Sequence, residues 1–151
     1  MRDRVVRVLL VLMAVSSGFV GSWALLAPRS FYDDFPGGGR HWVSADGPYN
    51  EHLVRDVGGL NLALMVVLVV AAVALGRVLV RTAAVATMVF AIPHFAYHAA
   101  HTDPYTTSDA AAMLVSLGLA VVLPIVVLVV VSRPDDGRLR QERGSERVAL
   151  E

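Results

Sequence analysis

The residues best suited to chemistry fall in one stretch, Phe90 to Tyr105, which reads FAIPHFAYHAAHTDPY and carries three of the five histidines. On a helix, His94, His98 and His101 stand at i, i+4 and i+7. At about 100° per residue their side chains fall within roughly 60° of one another and form one stripe. A neutral imidazole can ligate Zn, Cu or Fe, can hydrogen-bond a polar organic group, or can carry a proton near neutral pH. Cysteine is absent, which removes disulfides, thiolate metal sites, Fe–S clusters and thiol nucleophiles together. There is no HExxH motif, phosphate loop or Ser-His-Asp order, so hydrolase and nucleotide-driven chemistry have no positive support.

The elements that position the stripe are apolar throughout. The chain is 56% hydrophobic with a mean hydropathy of +0.60, well above an ordinary soluble domain, so its first partner is the lipid bilayer. At about 1.5 Å rise per residue, some 20 apolar residues cross a bilayer, and four runs qualify: about 5–27, 53–75, 78–101 and 109–131. The first is longer than the apolar region of a signal peptide, which favours an uncleaved span. The expected fold is all-α: an integral membrane four-helix bundle with antiparallel up-down spans over residues 1–132. A charged polar tail occupies 133–151, with the composition of a disordered segment.

The connections follow from composition. Residues 28–50 form a polar external loop punctuated by Pro36, Gly37-Gly38-Gly39 and Pro48, whose aromatics Phe31, Tyr32, Phe35, Trp42 and Tyr49 suit the headgroup zone. Asn50 is placed to cap the second span, and Glu51–Arg55 and His52–Asp56 are i,i+4 pairs near that cap. Gly76-Arg77 is a turn short enough to force the second and third spans into an antiparallel hairpin, and Pro93 predicts a kink beside His94. Ser17, Gly18, Gly21 and Ser22 in the first span, and Gly59 with Ala63 in the second, have the small-xxx-small spacing that lets membrane helices approach closely. Asn61 lies deep enough to need a partner, which predicts an interhelical hydrogen bond.

The charges set the orientation. All thirteen basic residues are arginine. Arg2, Arg4, Arg7, Arg77, Arg81 and the five arginines of the tail fall on one side, against Arg29, Arg40 and Arg55 on the other. By the positive-inside rule both termini are cytoplasmic in a multi-pass cell-membrane protein, and the stripe opens outward. Zero net charge gives nucleic acid no footing as a partner.

Three stretches together resemble the DoxX-like family of small four-span membrane proteins: GSWALLAPRSFY (Gly21 to Tyr32), RDVGGLNLALMVVLVV (Arg55 to Val70) and LGRVLVRTAAVATMVF (Leu75 to Phe90). The resemblance implies a four-helix bundle and an accessory role beside quinone-linked or redox-stress complexes. The His94, His98, His101 stripe is not part of that family's pattern, so no site residue is carried over from it.

Three readings of the stripe stand side by side. In the first, His94, His98 and His101 hold a transition metal with Glu51, His52 or Asp56 from the facing end of the second span. The HxxxHxxH spacing is similar to fragments of membrane di-iron oxygenase motifs, but five histidines fall short of the set those sites use. In the second, the same groups with Asn61 and Tyr97 line a polar pocket for a quinone, a lipid head group or a proton relay, in an accessory subunit of a membrane complex or a homo-oligomer. In the third, the polar groups satisfy one another and hold the bundle together.

Overall fold

The computed structural model describes residues 1–132; the tail from 133 lies outside the described residues. Four long helices form an up-down bundle: α1 (Arg2–Leu26), α4 (Glu51–Ala74), α5 (Arg77–Ala100) and α6 (Thr107–Ser132). All four are long and apolar enough to cross a bilayer, and their bounds lie within about three residues of those expected from hydropathy. Between α1 and α4 come α2 (Pro28–Asp34), a two-residue hairpin of β1 (Pro36–Gly37) and β2 (Arg40–His41), and α3 (Trp42–Asp46). Apolar side chains face outward along one flank of α1 (Val8, Leu12, Val15, Phe19) and of α6 (Val115, Leu119, Val122). At i, i+3, i+4 and i+7 they form stripes that bilayer hydrocarbon can solvate.

The pairing of helices differs from their order along the chain. α4 packs most extensively on α1, and α5 on α6, while the α4–α5 contact is limited. The reason is steric. A Cβ added to Gly58 would come within 2.5 Å of the Leu25 backbone nitrogen, and one added to Gly21 within 2.9 Å of the Leu62 nitrogen, so α1 and α4 cross almost backbone to backbone. Gly59, which the small-residue spacing singled out, has nothing within 4 Å, and Ala63 is exposed. The crossing therefore uses the adjacent glycine, about 100° round the helix. Two arginines tie the ends of this antiparallel pair. Arg55 donates to the Leu25 carbonyl at 2.5 Å, and Arg7 to the Ala72 carbonyl at 3.1 Å, each satisfying a carbonyl near the partner helix's C-terminus.

The main core lies in the arginine-rich half, where Leu10, Leu68, Val80 and Val127 are fully buried. A smaller cluster of Ala24, Phe31 and Val54 fills the other end beneath Trp23, Phe35, Val43 and Tyr49. Caps and local pairs follow the sequence closely. Asn50 accepts from the Leu53 amide at 3.1 Å; Glu51 pairs with Arg55 at 2.8 Å and His52 with Asp56 at 3.3 Å. At the α4–α5 turn it is Leu75 that takes the left-handed conformation (φ 51°), while Gly76 stays at φ −66°. α5 continues as helix through Pro93.

The segment 28–50 is folded, which composition alone did not foretell. Pro28 ends α1 and simultaneously opens α2, since its missing N–H and fixed φ suit a first helical turn. Gly37, Gly38 and Gly39 all have positive φ (98°, 67° and 76°) and make the tight reversal between β1 and β2. The aromatics expected in the headgroup zone pack on one another: Trp23 on Phe31 at 5.9 Å, Phe31 on Phe35 at 4.7 Å and Phe35 on Trp42 at 6.1 Å between centroids.

Candidate functional site

The site is built on the outer half of α5. In the other half the core-facing side of this helix buries small residues, Val80, Ala83, Ala84, Thr87 and Ala91. Continued toward the C-terminus at 3.6 residues per turn, the same side presents His94 and His98. The stripe exists as the sequence spacing requires, and it is an aromatic ladder. Phe90 stacks on His94 (5.3 Å, 20°), His94 meets His98 edge to face (4.8 Å, 86°), Tyr97 stacks on His101 (4.2 Å, 16°), and His98 reaches Tyr105 (6.3 Å).

The three imidazoles have different surroundings. His101 is exposed at the end of α5, and its Nδ1 lies 2.7 Å from the Tyr97 carbonyl. A carbonyl only accepts, so Nδ1 carries the proton and the ring closes the helix's C-terminus. His94 lies between Phe90 and His98. His98 is half-buried, and its Nδ1 is the only buried side-chain nitrogen or oxygen among the described residues without a hydrogen-bond partner. Leaving such an atom unpaired costs about 1–3 kcal/mol, so a partner for it would be stabilising.

The carboxylate that acts on the stripe is not one of those expected. Glu51, His52 and Asp56 are exposed and pair within α4 or with α1 through Arg55, and none bonds to the stripe. The acid within electrostatic reach of both His94 and His98 is Asp46, at the end of α3. The cause is the limited α4–α5 contact: with α4 packed chiefly on α1, its outer end does not bring Glu51, His52 or Asp56 to the stripe, and Asp46 of the folded 28–50 segment is the acid within reach. Among the described residues no three His, Asp or Glu side chains converge as a metal-binding group would. Asn61 likewise turns to its own helix, donating to the Val57 carbonyl at 2.9 Å in place of the expected interhelical bond.

Where α4 and α5 part there is a groove of about 370 Å³, lined by Leu60, Asn61 and Leu64 on one side and Ala86, Val89 and Phe90 on the other. Phe90 is shared: it closes the outer end of the groove and stacks on His94. Groove and ladder are thus neighbours on α5 joined through Phe90, the groove on the exposed side of the helix and His98 toward its core-facing side, with Tyr97 and His101 exposed between them.

Above the polar end, α3 is held down by groups remote in sequence. Asp109, at the start of α6, accepts from Arg40 Nη1 (2.5 Å), Trp42 Nε1 (3.0 Å) and Thr106 Oγ1 (2.8 Å). Tyr105 donates its hydroxyl to the Trp42 carbonyl at 3.0 Å. Burial first and then the neighbouring Asp46 push the Tyr105 phenol up to about 12, so it remains a donor throughout the physiological range. Asp46, Tyr105, Trp42, Arg40 and Asp109 were not singled out as site residues from the sequence. Tyr105 had a signal, since it closes the histidine stretch; Asp109 was legible only as part of a helix start. His41 is exposed and accounts for itself locally, its Nδ1 2.6 Å from the Asp33 carbonyl.

Compared with protein-family models, with characterised proteins and with solved structures, the chain matches none. The functional reading therefore rests on the geometry of this site.

Proposed function

We propose that the protein is a membrane-embedded binding protein, acting as an accessory subunit or homo-oligomer, for an amphipathic lipid-soluble ligand with a carbonyl- or hydroxyl-bearing head, a quinone being the type case. The carrying observation is that Phe90, which lines an apolar groove, leads through His94 to His98 and its unpartnered Nδ1. The ligand's tail lies along Leu60, Leu64, Val89 and Phe90, and its head stacks near His94 and bonds His98 beneath the α3 cap. Neutral imidazole suits both forms of such a head, since a ring nitrogen donates to a carbonyl in one tautomer and accepts from a hydroxyl in the other. The groove volume falls within the roughly 300–1,000 Å³ typical of small-molecule sites. The likeness of three stretches to DoxX-like proteins supports the accessory role, and the lack of three convergent donors among the described residues favours an organic ligand over a metal.

The test is binding of a short-tailed benzoquinone to detergent-purified protein, followed by quenching of tryptophan fluorescence, with Trp42 as the residue above the site. His98→Leu removes the ring nitrogen while keeping bulk, and should weaken binding at least about tenfold, the equivalent of one hydrogen bond to a buried group. His41→Ala should leave it unchanged. Equal affinities for wild type and His98→Leu would overturn the reading. Stoichiometric copurified metal lost in His94→Ala and His98→Ala would replace it with a metal site.

The same proposal places both termini in the cytoplasm and the site toward the outside. A cysteine at exposed Pro48 should react with an impermeant maleimide in intact cells, and one at Ser145 should react only after lysis. The reverse pattern would place the site on the cytoplasmic face.

A further inference from the structure

A second groove lies between α1 and α4 at the arginine-rich end, about 420 Å³ in volume and lined by Arg7, Val11, Val69, Ala72 and Val73. Its walls are apolar and open outward, Val11, Val69 and Val73 all being exposed. Its single charged group is Arg7. The comparison with Arg55, at the other end of the same helix pair, is instructive. Arg55 spends Nε on Glu51 and Nη1 on the Leu25 carbonyl, so its charge is answered within the protein. Arg7 spends only Nε, on the Ala72 carbonyl, and among the described residues it has no carboxylate partner and no acceptor for Nη1 or Nη2. The backbone contact fixes the guanidinium over the groove and leaves the two terminal nitrogens presented side by side.

We infer that this groove binds an anionic phospholipid, with the phosphate on Nη1 and Nη2 of Arg7 and one acyl chain along Val11, Val69 and Val73. The planar guanidinium fork matches two phosphate oxygens. Arg7 lies about 7.5 Å along α1 from Arg2, and Ala72 about 3 Å from the end of α4, so the guanidinium stands at the boundary between head groups and hydrocarbon. Charge complementarity identifies the occupant. Arg4 and Arg81 stand with Arg7 at this end, where the one acid among the described residues, Asp3, lies 3.8 Å from Arg2. Basic grooves between spans select anionic head groups in this way. Free phosphate would satisfy the fork but leave the valine wall uncovered.

The experiment uses the full chain in nonionic detergent, with thermal unfolding followed during titration with dioleoyl phosphatidylglycerol or dioleoyl phosphatidylcholine. Phosphatidylglycerol should raise the midpoint and phosphatidylcholine at equal concentration should not. Arg7→Gln should weaken the phosphatidylglycerol response roughly tenfold, with Arg7→Lys between, while Arg29→Gln at the opposite end has no effect. Val73→Trp fills the groove from an exposed position and should weaken the response without lowering the lipid-free midpoint, so the test survives if Arg7→Gln folds poorly. Equal responses to the two lipids, a phosphatidylglycerol preference that persists in both Arg7→Gln and Val73→Trp, or an equal shift from inorganic phosphate alone would each overturn the inference.

Discussion

Gly58→Ala should destabilise the protein by about 3 kcal/mol, at the upper end for overpacking, while Gly59→Ala, one residue on, should be neutral or slightly stabilising. The difference is geometric. At Gly58 the new methyl would sit 2.5 Å from the Leu25 nitrogen and 2.9 Å from its Cα, and these are backbone atoms that cannot rotate aside. Relief requires α1 and α4 to move apart, which breaks the adjoining contact of Gly21 with Leu62 and draws Arg55 away from the Leu25 carbonyl. At Gly59 nothing lies within 4 Å, so the methyl meets open space and the helix gains the roughly 0.5–1 kcal/mol by which alanine exceeds glycine. In detergent, Gly58→Ala should lower the unfolding midpoint by on the order of 10 °C and Gly59→Ala should leave it unchanged or raise it. Matching midpoints for the two variants would refute the backbone crossing at Gly58.

Asp109→Ala should release the α3 cap. Its carboxylate gathers three donors from three parts of the chain: Arg40 before α3, Trp42 within it and Thr106 in the turn entering α6. The carboxylate is 23% exposed and Arg40 39%, so the ion pair is screened and counts for less than a buried one. Removing the common acceptor nonetheless leaves an indole N–H and a guanidinium unanswered together, and stability falls. Because Asp109 is not among the groups placed against the ligand, the readout is specific. Trp42 emission should shift to the red, the 28–50 segment should become sensitive to protease, and quinone affinity should fall while α1–α4 packing is retained. The exposed pair Arg29–Asp33, at 2.7 Å with 66% and 40% exposure, supplies the contrast: Asp33→Ala should leave the unfolding midpoint nearly unchanged. Unchanged protease resistance in Asp109→Ala would show that the aromatic contacts of Phe35 and Trp42 hold the cap without it.

The sequence by itself determined the features that depend on neighbours a few residues away. The four spans follow from run length at 1.5 Å per residue, the cap at Asn50 from its amide, the pairs Glu51–Arg55 and His52–Asp56 from i,i+4 spacing, and the imidazole ladder from the 3.6-residue turn. Tertiary structure alone decided which faces meet. A span that is apolar all round carries no amphipathic signal to set its rotation, and lipid is as apolar as leucine, so hydropathy could not choose Gly58 over Gly59 or pair α4 with α1 in preference to α5. That choice moved Glu51, His52 and Asp56 away from the stripe. What replaced them depends on bonds spanning 63 to 69 residues, Tyr105 to Trp42 and Arg40 and Trp42 to Asp109, which fold a loop-like composition into a cap and bring Asp46 within electrostatic reach of His94 and His98. Such contacts have no local spacing to betray them, because each donor and its acceptor are brought together only once α1, α5 and α6 have packed.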